Sequence, residues 1–347
     1  MSTPGGPLRD ADPPHLVGRG GEPVEAAPGA GVTALPRRRS WVRNPKLGYA
    51  AAVAAAVISG VSIYVNSLTV KSFTDPVLYT AVKDGLVGVV LLVPLAVLPA
   101  KRAEVRQLDR RTWSWLVALA LTGGSVPFAL FFTGLQLTTA ATGAVLNHLQ
   151  FVFVALLAAI FLRERIPSVM WVALVVLLLG ALLGTNLHAL HWNVGAVLIA
   201  ISSVLFAIDF VIAKHLLRGL STLTIMTARM SMGTFLLLLY LAAIGRLGGI
   251  ARLSGSQWEL AGLTGFLLLL FTIATFTAIR HASVSAVIAI GAASPIVTTL
   301  LQVGLARQVR LDPVDLAGLG LILAATLAVL GLGLRKDVAT LRAGAHP

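Results

Sequence analysis

The residues with the clearest chemical potential are the few charges that interrupt long apolar segments. Among the Lys, Arg, Asp and Glu residues, four stand deep inside such segments: Lys83, Asp84, Asp209 and Arg229. A charge at the centre of a membrane helix costs about 2.5–3.5 kcal/mol, so such side chains tend to face a cavity or a partner. We expect Asp209 and Arg229 to form an inner gating or coupling pair, with Asn66, Lys83 and Asp84 shaping the outer side. The alternative is snorkelling of the long basic side chains toward the lipid headgroups.

A second candidate set carries no fixed charge and lies near the middle of the apolar segments. It comprises Asn147, His148, Gln150, Phe151, Thr272, Thr275, Ser294 and Pro295. Asn147, Gln150 and Phe151 fall on one helical face, and amides donate and accept hydrogen bonds without the cost of a charge. Pro295 frees a backbone carbonyl that can line a cavity. These residues are candidates for a small-molecule site, although His148 fits a helix–helix hydrogen bond as well as a proton relay.

The composition indicates what kind of scaffold must position these side chains. Of the 347 residues, 57% are hydrophobic and 12% are charged, and the mean hydropathy is +0.88. Soluble domains contain about 25% charged residues, so this chain has too few polar residues to cover a soluble particle. In a soluble protein a formal charge of +13 would indicate nucleic-acid binding. Because this composition does not fit a soluble protein, we expect no nucleic-acid partner. The absence of cysteine excludes disulfides, thiolate nucleophiles and cysteine-bound metals.

Apolar runs recur from Leu47 to Leu334, each long enough to cross a hydrocarbon core about 30 Å thick. Ten spans are predicted, at 47–70, 77–98, 113–136, 140–162, 167–187, 193–217, 222–245, 257–280, 283–306 and 313–334. Residues 1–46 are rich in Pro and Gly and end in a basic cluster, so we expect a disordered basic tail there. Residues 335–347 are predicted to form a short cytoplasmic tail. The predicted fold class is an all-α membrane protein.

The distribution of basic residues predicts the orientation, because Lys and Arg collect on the cytoplasmic side of membrane proteins. With the N-terminus inside, 20 of the 27 Lys and Arg residues fall on the inner side and 5 on the outer side. The other two are Lys83 and Arg229. Both termini are therefore predicted to be cytoplasmic, in a multi-pass protein of the cell inner (plasma) membrane.

The two halves of the chain match at an offset of about 144 residues, which predicts an internal repeat. The matched pairs are Asn66 with Asp209, Lys71 with Lys214, Lys83 with Arg229, Phe132 with Phe276, Thr139 with Ser283 and Glu164 with Gln308. The predicted repeats are residues 47–187 and 193–334, with five spans each. Because five is odd, the second repeat would be inverted relative to the first, an arrangement found in transporters. A chance alignment of leucine-rich helices is the alternative.

In the order of its motifs the chain resembles the EamA-type transporters of the drug/metabolite transporter superfamily. The matching segments are Ile63-Tyr64-Val65-Asn66 with Lys71, the basic residues Lys83 and Arg229, Gly123 to Phe132, Arg163-Glu164-Arg165-Ile166, and Ala293-Ser294-Pro295-Ile296. The resemblance covers nearly all of residues 47–336. It implies a ten-helix transporter of small metabolites or drugs, often working as an exporter.

Together the residues and the resemblance predict a secondary transporter that works by alternating access. The sequence contains no phosphate-binding loop, paired His–Glu metal motif or Asp-rich cluster, so we expect no enzyme, cofactor or metal site. The expected cargo is an amino acid or a similar small polar metabolite, moved outward through the lipid bilayer. A multidrug efflux pump is the alternative within transport. A membrane-embedded enzyme or a non-transporting receptor is the alternative outside it.

Two further features of the first repeat allow two interpretations each. Gly180 and Gly184 form a small-xxx-small pattern, which indicates either a homodimer interface or close internal packing. Glu164 stands between Arg163 and Arg165 at the inner end of the fourth span. We predict that Glu164 is a solvated loop charge rather than a functional group, because exposed ion pairs contribute little.

Overall fold

The computed structural model describes residues 44–138, 140–164, 166, 168–183, 192–306 and 312–343, and helices make up most of them. The helices are α1 (Pro45–Thr69), α2 (Pro76–Val97), α3 (Pro99–Arg106), α4 (Arg110–Leu119), α5 (Val126–Leu137), α6 (Ala140–Phe161), α7 (Ser168–Leu183), α8 (Val194–Leu216), α9 (Thr222–Ala243), α10 (Gly255–His281), α11 (Val284–Gly291), α12 (Ser294–Leu301) and α13 (Pro313–Ala343). The predicted tail up to residue 43 lies outside the described residues, as do Thr139, Gly184 and Gln308.

Many of the helices begin where a polar cap meets a proline or an apolar run. Asn44, Asp75, Asn193, Ser221 and Ser283 each accept a hydrogen bond from a backbone N–H two or three residues later. Such a cap satisfies a donor that the first helical turn leaves unpaired. Beyond the caps the apolar segments stay helical because lipid offers no partner for free backbone groups. The caps therefore set the residue at which each of these five helices starts.

Eight helices are long and apolar enough to cross a membrane, within the part of the chain that the structure describes. At the predicted fourth and fifth spans the structure has shorter apolar stretches, Leu149–Phe161 and Met170–Gly180. The prediction of an all-helical, multi-pass protein is confirmed. The count of ten spans and the cytoplasmic location of both termini remain predictions.

Some helices differ from the simple spans that the apolar runs predict. The third span consists of α4, a π-helical turn at Ala120–Ser125, and α5. The ninth is broken between α11 and α12, where Pro295 cannot donate a backbone hydrogen bond, and it ends in a second π-helical turn at Gln302–Ala306. Between the second and third spans lies the short amphipathic α3, none of whose residues is buried.

The packing of α2 against α9 reveals how the two halves are related. A Cβ atom at Gly88 would lie 3.2 Å from Ser231, and one at Gly85 would lie 3.2 Å from Thr234. As the residue number rises on α2 it falls on α9, so the two helices run antiparallel. Gly85 and Gly88 are each 146 positions before Ser231 and Thr234, respectively. A two-fold axis across the helices therefore exchanges one contact for the other, which supports an inverted repeat.

The other helix pairs follow the same exchange. The contact of α1 with α10 matches that of α8 with α5 and the Ala120–Ser125 turn. The contact of α6 with α8 matches that of α11 and α12 with α1, while α7 and α13 pack on each other. Helices equivalent in sequence therefore occupy equivalent positions in the two halves. This is the arrangement that the sequence offset of about 144 predicts.

Gly180 takes part in internal packing. A Cβ atom at this position would lie 2.9 Å from the carbonyl oxygen of Gly318 and 2.9 Å from Ile322, both on α13. The small residue therefore lets α7 and α13 approach closely within one chain. This contact favours the interpretation of the glycine motif as intramolecular packing, as far as Gly180 is concerned.

Candidate functional site

The ion pair between Asp209 and Arg229 is the central feature of the buried polar residues. Arg229 Nε donates to Asp209 Oδ2 at 3.1 Å and lies 3.4 Å from Oδ1. The side chain of Asp209 is 2% exposed and that of Arg229 is 12% exposed. Asp209 lies on α8 and Arg229 on α9, so both belong to the second half. The structure thus brings together the two residues that the sequence proposes as an inner gate; gating itself remains a prediction.

A glycine on the third span makes room for Asp209. A Cβ atom at Gly123 would lie 2.0 Å from Asp209 Oδ1 and 2.1 Å from Cγ, so no side chain fits there. Gly123 lies in the π-helical turn Ala120–Ser125, and such turns are frequent at functional sites. Next to it, Gly124 packs on Gly233, close to the backbone of Arg229. The ion pair is therefore enclosed by the first half, although both its charges come from the second.

The corresponding positions of the first half form a different cluster. Tyr79 donates its hydroxyl proton to Asn66 Oδ1, and Asn66 Nδ2 donates to the carbonyl oxygen of Ser62 at 2.7 Å. Lys83 Nζ lies 5.2 Å from the centre of the Tyr79 ring, a cation–π geometry. Lys83 Nζ is also 4.0 Å from Asp84 Oδ1. Thus Asn66, Lys83 and Asp84 do lie in one region, joined by a tyrosine.

Asp84 is the buried charge with the fewest polar contacts in this cluster. The residue is 1% exposed, and its Oδ1 atom has no hydrogen-bond partner among the described residues. It lies within electrostatic range of Arg229 as well as of Lys83. The repeat offset places Met230 at the equivalent position of the second half. Asp84 therefore breaks the correspondence between the halves and connects their charges.

The two charged clusters lie on either side of the α2–α9 crossing. The crossing is centred between Gly85 and Gly88 on α2, and between Ser231 and Thr234 on α9. At about 1.5 Å per residue, Lys83 and Arg229 each lie about 5 Å from that centre, in opposite directions along the helices. Both basic side chains are enclosed within the bundle, since that of Lys83 is 9% exposed and that of Arg229 is 12% exposed, which favours a buried role over snorkelling. The clusters are therefore placed to act on opposite sides of the middle.

The predicted neutral set is more widely distributed. Thr272 and Thr275 are buried on α10, and Thr275 Oγ1 lacks a hydrogen-bond partner within the described part of the chain. Ser294 is buried at the start of α12, where its carbonyl oxygen would lie 2.6 Å from a Cβ atom at Gly60. Gln150 is half-buried. The assignment of this set to a substrate site remains a prediction.

The remaining four members of the neutral set lie on α6 and α12. Phe151 is half-buried and packs on the main hydrophobic core. Pro295 stands in the first turn of α12, at the break in the ninth span that its missing N–H explains. The side chains of Asn147 and His148 fall outside the described part of the chain, although both residues belong to α6.

The prediction for Glu164 is wrong, because its carboxylate binds the start of another helix. Glu164 Oε1 accepts a hydrogen bond from the backbone N–H of Val284 at 3.0 Å, and Oε2 accepts one from Ser285 Oγ at 2.6 Å. A carboxylate at a helix N-terminus satisfies free donors and complements the helix dipole. The segment that follows α6 is thereby connected to α11. In the sequence, the match of Glu164 with Gln308 at the repeat offset of 144 pointed to this residue.

Sequence reasoning also missed the roles of Tyr79 and Lys214. In the sequence Tyr79 is one more aromatic residue of an apolar run. In the structure it is 1% exposed, its hydroxyl donates to Asn66, and Lys83 lies over its ring. Lys214 Nζ donates to the carbonyl oxygens of Ile279 and Ala282 at the end of α10. A cation at a helix C-terminus satisfies carbonyls that have no helical partner. Lys214 was found only as a repeat match to Lys71, whose side chain lies outside the described residues.

Across the described residues, no group of three or more His, Asp or Glu side chains is placed to hold a metal ion. The arrangement instead offers paired charges, amides and hydroxyls. Such groups bind polar solutes through hydrogen bonds and ion pairs. Groups of both signs near the middle of the helices suit a zwitterionic or polar solute.

Comparison with known proteins gives consistent matches. The sequence profile of the EamA-like transporter family matches the chain twice, over residues 46–185 and 193–331. An uncharacterized transporter of Methanothermobacter thermautotrophicus is 26% identical over 223 residues. That match covers 60% of this chain and 63% of the relative, so the chain matches less than two thirds of that protein's length. A chain of known crystal structure aligns with a TM-score of 0.67 at 18% identity, covering 85% of this chain and 100% of that one, and shows the same fold.

Proposed function

The chain belongs to the EamA-like transporter family, and from that premise we propose that it exports amino acids or similar small polar metabolites by alternating access. It is a multi-pass membrane transporter, as the two family matches and the apolar helices indicate. The proposed transport uses an ion gradient or solute exchange and no ATP hydrolysis. The substrate binds near the middle of the membrane, between the two repeats.

The observation that carries the proposal is the buried pair of Asp209 and Arg229. Two charges deep in an apolar bundle are costly, and a bundle with only a structural role would be at least as stable with apolar residues there. The pair is enclosed by the third span of the other half, so motion of one repeat against the other changes its surroundings. A contact of this kind can close one route while the other opens.

The proposed substrate region lies between the two charged clusters. Its residues are the predicted neutral set: Asn147, His148, Gln150, Phe151, Thr272, Thr275, Ser294 and Pro295. Among these, Thr275 offers a buried hydroxyl without a partner among the described residues. A solute with an ammonium and a carboxylate group would complement Asp84 on one side and Arg229 on the other. This favours amino acids over lipophilic cations.

Transport by purified protein in liposomes tests the proposal. Liposomes preloaded with a mixture of unlabelled amino acids should accumulate radiolabelled amino acids from outside, in the absence of ATP. The Asp209→Asn variant serves as the matched control and should lose most of this exchange. If neither amino acids nor related polar metabolites exchange above the rate of protein-free liposomes, the proposed substrate class is wrong.

The same liposomes separate the alternatives. Accumulation of a lipophilic cation such as ethidium, with no exchange of amino acids, would instead support a multidrug efflux pump. Chemical conversion of a lipid or solute without any flux would support a membrane-embedded enzyme. Binding of a solute by the purified protein without any transport of it would support a non-transporting receptor.

A further inference from the structure

Glu104, on the short connector α3, holds the start of a helix in the other repeat. Its Oε1 atom accepts a hydrogen bond from the backbone N–H of Ser221 at 2.5 Å, and Ser221 is the N-cap of α9. Its Oε2 atom accepts from Lys101 Nζ at 3.2 Å. The side chain of Glu104 is only 21% exposed. Both carboxylate oxygens are therefore engaged, one of them across the boundary between the repeats.

The same end of the molecule carries a second contact next to Ser221. Arg280, at the end of α10, donates from Nη1 to Thr222 Oγ1 at 2.8 Å. Glu104 and Arg280 also interact electrostatically. The connector α3, the start of α9 and the end of α10 are thus connected by hydrogen bonds and charge. We call this group of residues, Lys101, Glu104, Ser221, Thr222 and Arg280, the Glu104 face.

The opposite end of α2 and α9 has a matching set of contacts. Asp75, the N-cap of α2, accepts a hydrogen bond from Arg246 Nη1 at 3.1 Å. Gln257, at the start of α10, donates from Nε2 to the carbonyl oxygen of Ser72 at 2.6 Å. We call Ser72, Asp75, Arg246 and Gln257 the Asp75 face. On this face too, the contacts join residues of different repeats.

The two faces are related by the repeat. Asp75 and Ser221 stand 146 positions apart, the same separation as Lys83 and Arg229. Each caps the second long helix of its own repeat. Each is held by a charged side chain from the connector that follows the second long helix of the other repeat, Glu104 on one face and Arg246 on the other. The fold therefore builds one latch at each end of the α2–α9 pair.

We propose that these contacts are alternating latches, with Glu104 and Arg246 as the residues that decide which face opens. The proposal rests on the alternating-access function proposed above. Opening a face requires the ends of α2 and α9 to separate, which breaks the latch on that face only. Because α2 and α9 cross near their middles, separation at one end favours approach at the other.

The latches differ in strength. Glu104 is mostly enclosed and bonds a backbone N–H, whereas the Arg246 side chain is 67% exposed. Exposed ion pairs contribute little and are screened by salt, while a carboxylate bound to a partly buried donor contributes more. The Glu104 face is therefore the one held closed more firmly. Breaking its latch shifts the balance further than breaking the other.

Two matched positions can report on the opening of each face. Ala81 and Thr227 are also 146 positions apart, and both are buried on the facing sides of α2 and α9, 1% and 2% exposed. Ala81 packs in a cluster with Leu237, and Thr227 donates to the carbonyl oxygen of Leu91. Because the chain has no cysteine, Ala81→Cys and Thr227→Cys each introduce a single thiol. Its rate of reaction with N-ethylmaleimide in detergent-purified protein measures how often that face opens.

The proposal predicts opposite changes at the two reporters. Glu104→Ala should accelerate labelling of Cys at position 227 about tenfold and should slow labelling at position 81. Glu104→Gln, which keeps an acceptor for the Ser221 N–H, should have a smaller effect in the same direction. Arg246→Gln should accelerate labelling at position 81 about twofold, and high salt should reproduce this change in the unsubstituted latch.

The control is Arg102→Ala, on the same connector helix but exposed to solvent. The proposed latch is rejected if the cysteine at position 227 is labelled no faster in the Glu104→Ala variant than in the Arg102→Ala variant. It is also rejected if Glu104→Ala accelerates labelling at positions 81 and 227 equally, as a general loosening of the bundle would. Failure of the proposed function has a different result. In that case no latch substitution changes the labelling rates at positions 81 and 227 in opposite directions, and the protein also exchanges no solute in liposomes. Both results together would contradict the alternating mechanism itself.

Discussion

The Asp209–Arg229 pair and the Asn66–Tyr79–Lys83 cluster occupy equivalent places in the two halves, but they are built differently. In the second half a carboxylate and a guanidinium make a direct contact of 3.1 Å against the glycines of a π-helical turn. In the first half an amide replaces the carboxylate, and a tyrosine stands between it and the lysine. The helix that packs against α1 and α2 is α10, the repeat equivalent of the third span. Unlike the third span, it is one uninterrupted α-helix from Gly255 to His281.

This difference teaches that the repeat conserves the place of a polar contact but not its strength. Two identical gates would give the inward-open and outward-open arrangements similar free energies. In the proposed alternating mechanism, a short ion pair on one side and a tyrosine-bridged cluster on the other would give the two arrangements different free energies. The latches at Glu104 and Asp75 differ in the same sense, because the Glu104 side, which is nearer to Arg229, has the more enclosed contact.

The largest expected effect comes from removing one charge of the ion pair. Arg229→Met leaves Asp209 as a buried carboxylate without its partner, which costs about 3–5 kcal/mol of folding free energy. Lys83→Met removes the equivalent cation, whose distance to Asp84 is the longer one of 4.0 Å, and should cost less. Thermal unfolding in detergent measures both. Equal losses for the two variants would contradict the difference in strength between the halves.

An intermediate effect is expected from filling the space beside Asp209. Gly123→Ala places a methyl group against the carboxylate, and such overpacking typically costs about 1–3 kcal/mol. Gly262→Ala on α10, the equivalent span of the second half, is the matched control, because a Cβ atom there meets none of the described residues within 4 Å. Melting temperatures should fall for Gly123→Ala and stay level or rise for Gly262→Ala. If Gly123→Ala is tolerated equally well, Asp209 is not held as closely as described.

The smallest effect is expected in the first-half cluster. Tyr79→Phe removes the hydroxyl that donates to Asn66 and should cost about 0.5–1.5 kcal/mol, the usual net value of one hydrogen bond. Tyr240→Phe, at an exposed site on α9, controls for the loss of a hydroxyl as such. Urea or thermal unfolding resolves the two. A loss from Tyr79→Phe as large as that from Arg229→Met would mean that the two clusters are equally strong.

Much of the fold follows from the sequence, because apolar length and polar caps are local properties. The boundaries of α2 and α9 fall within a few residues of the predicted spans, and the two family matches agree with the matched halves. The π-helical turn at Ala120–Ser125 and the connector α3 were not predicted. A π-helical turn has the same composition as the α-helix around it, and the carboxylate of Asp209 that packs against this turn comes from another span.

The site was predictable in its charges and less so in its contacts. Asp209 and Arg229 stand out because a charge is rare in an apolar segment, and the offset of the repeats relates them to Asn66 and Lys83. Glu164 and Glu104 do not stand out, because a carboxylate near basic loop residues usually faces solvent. Only the packing of the other repeat shows that each of them binds the start of a helix there.

Swapping the two charges of the Asp209–Arg229 pair is the most direct test of whether this pair controls transport. Asp209→Arg and Arg229→Asp should each abolish most amino-acid exchange in liposomes, because each places two like charges in contact. The double variant restores an opposite-charge pair, and coupled residues of this kind show interaction energies of about 0.5–3 kcal/mol. We therefore predict that the double variant exchanges amino acids about tenfold faster than either single variant. Exchange by the double variant at or below the rate of the single variants would contradict the account.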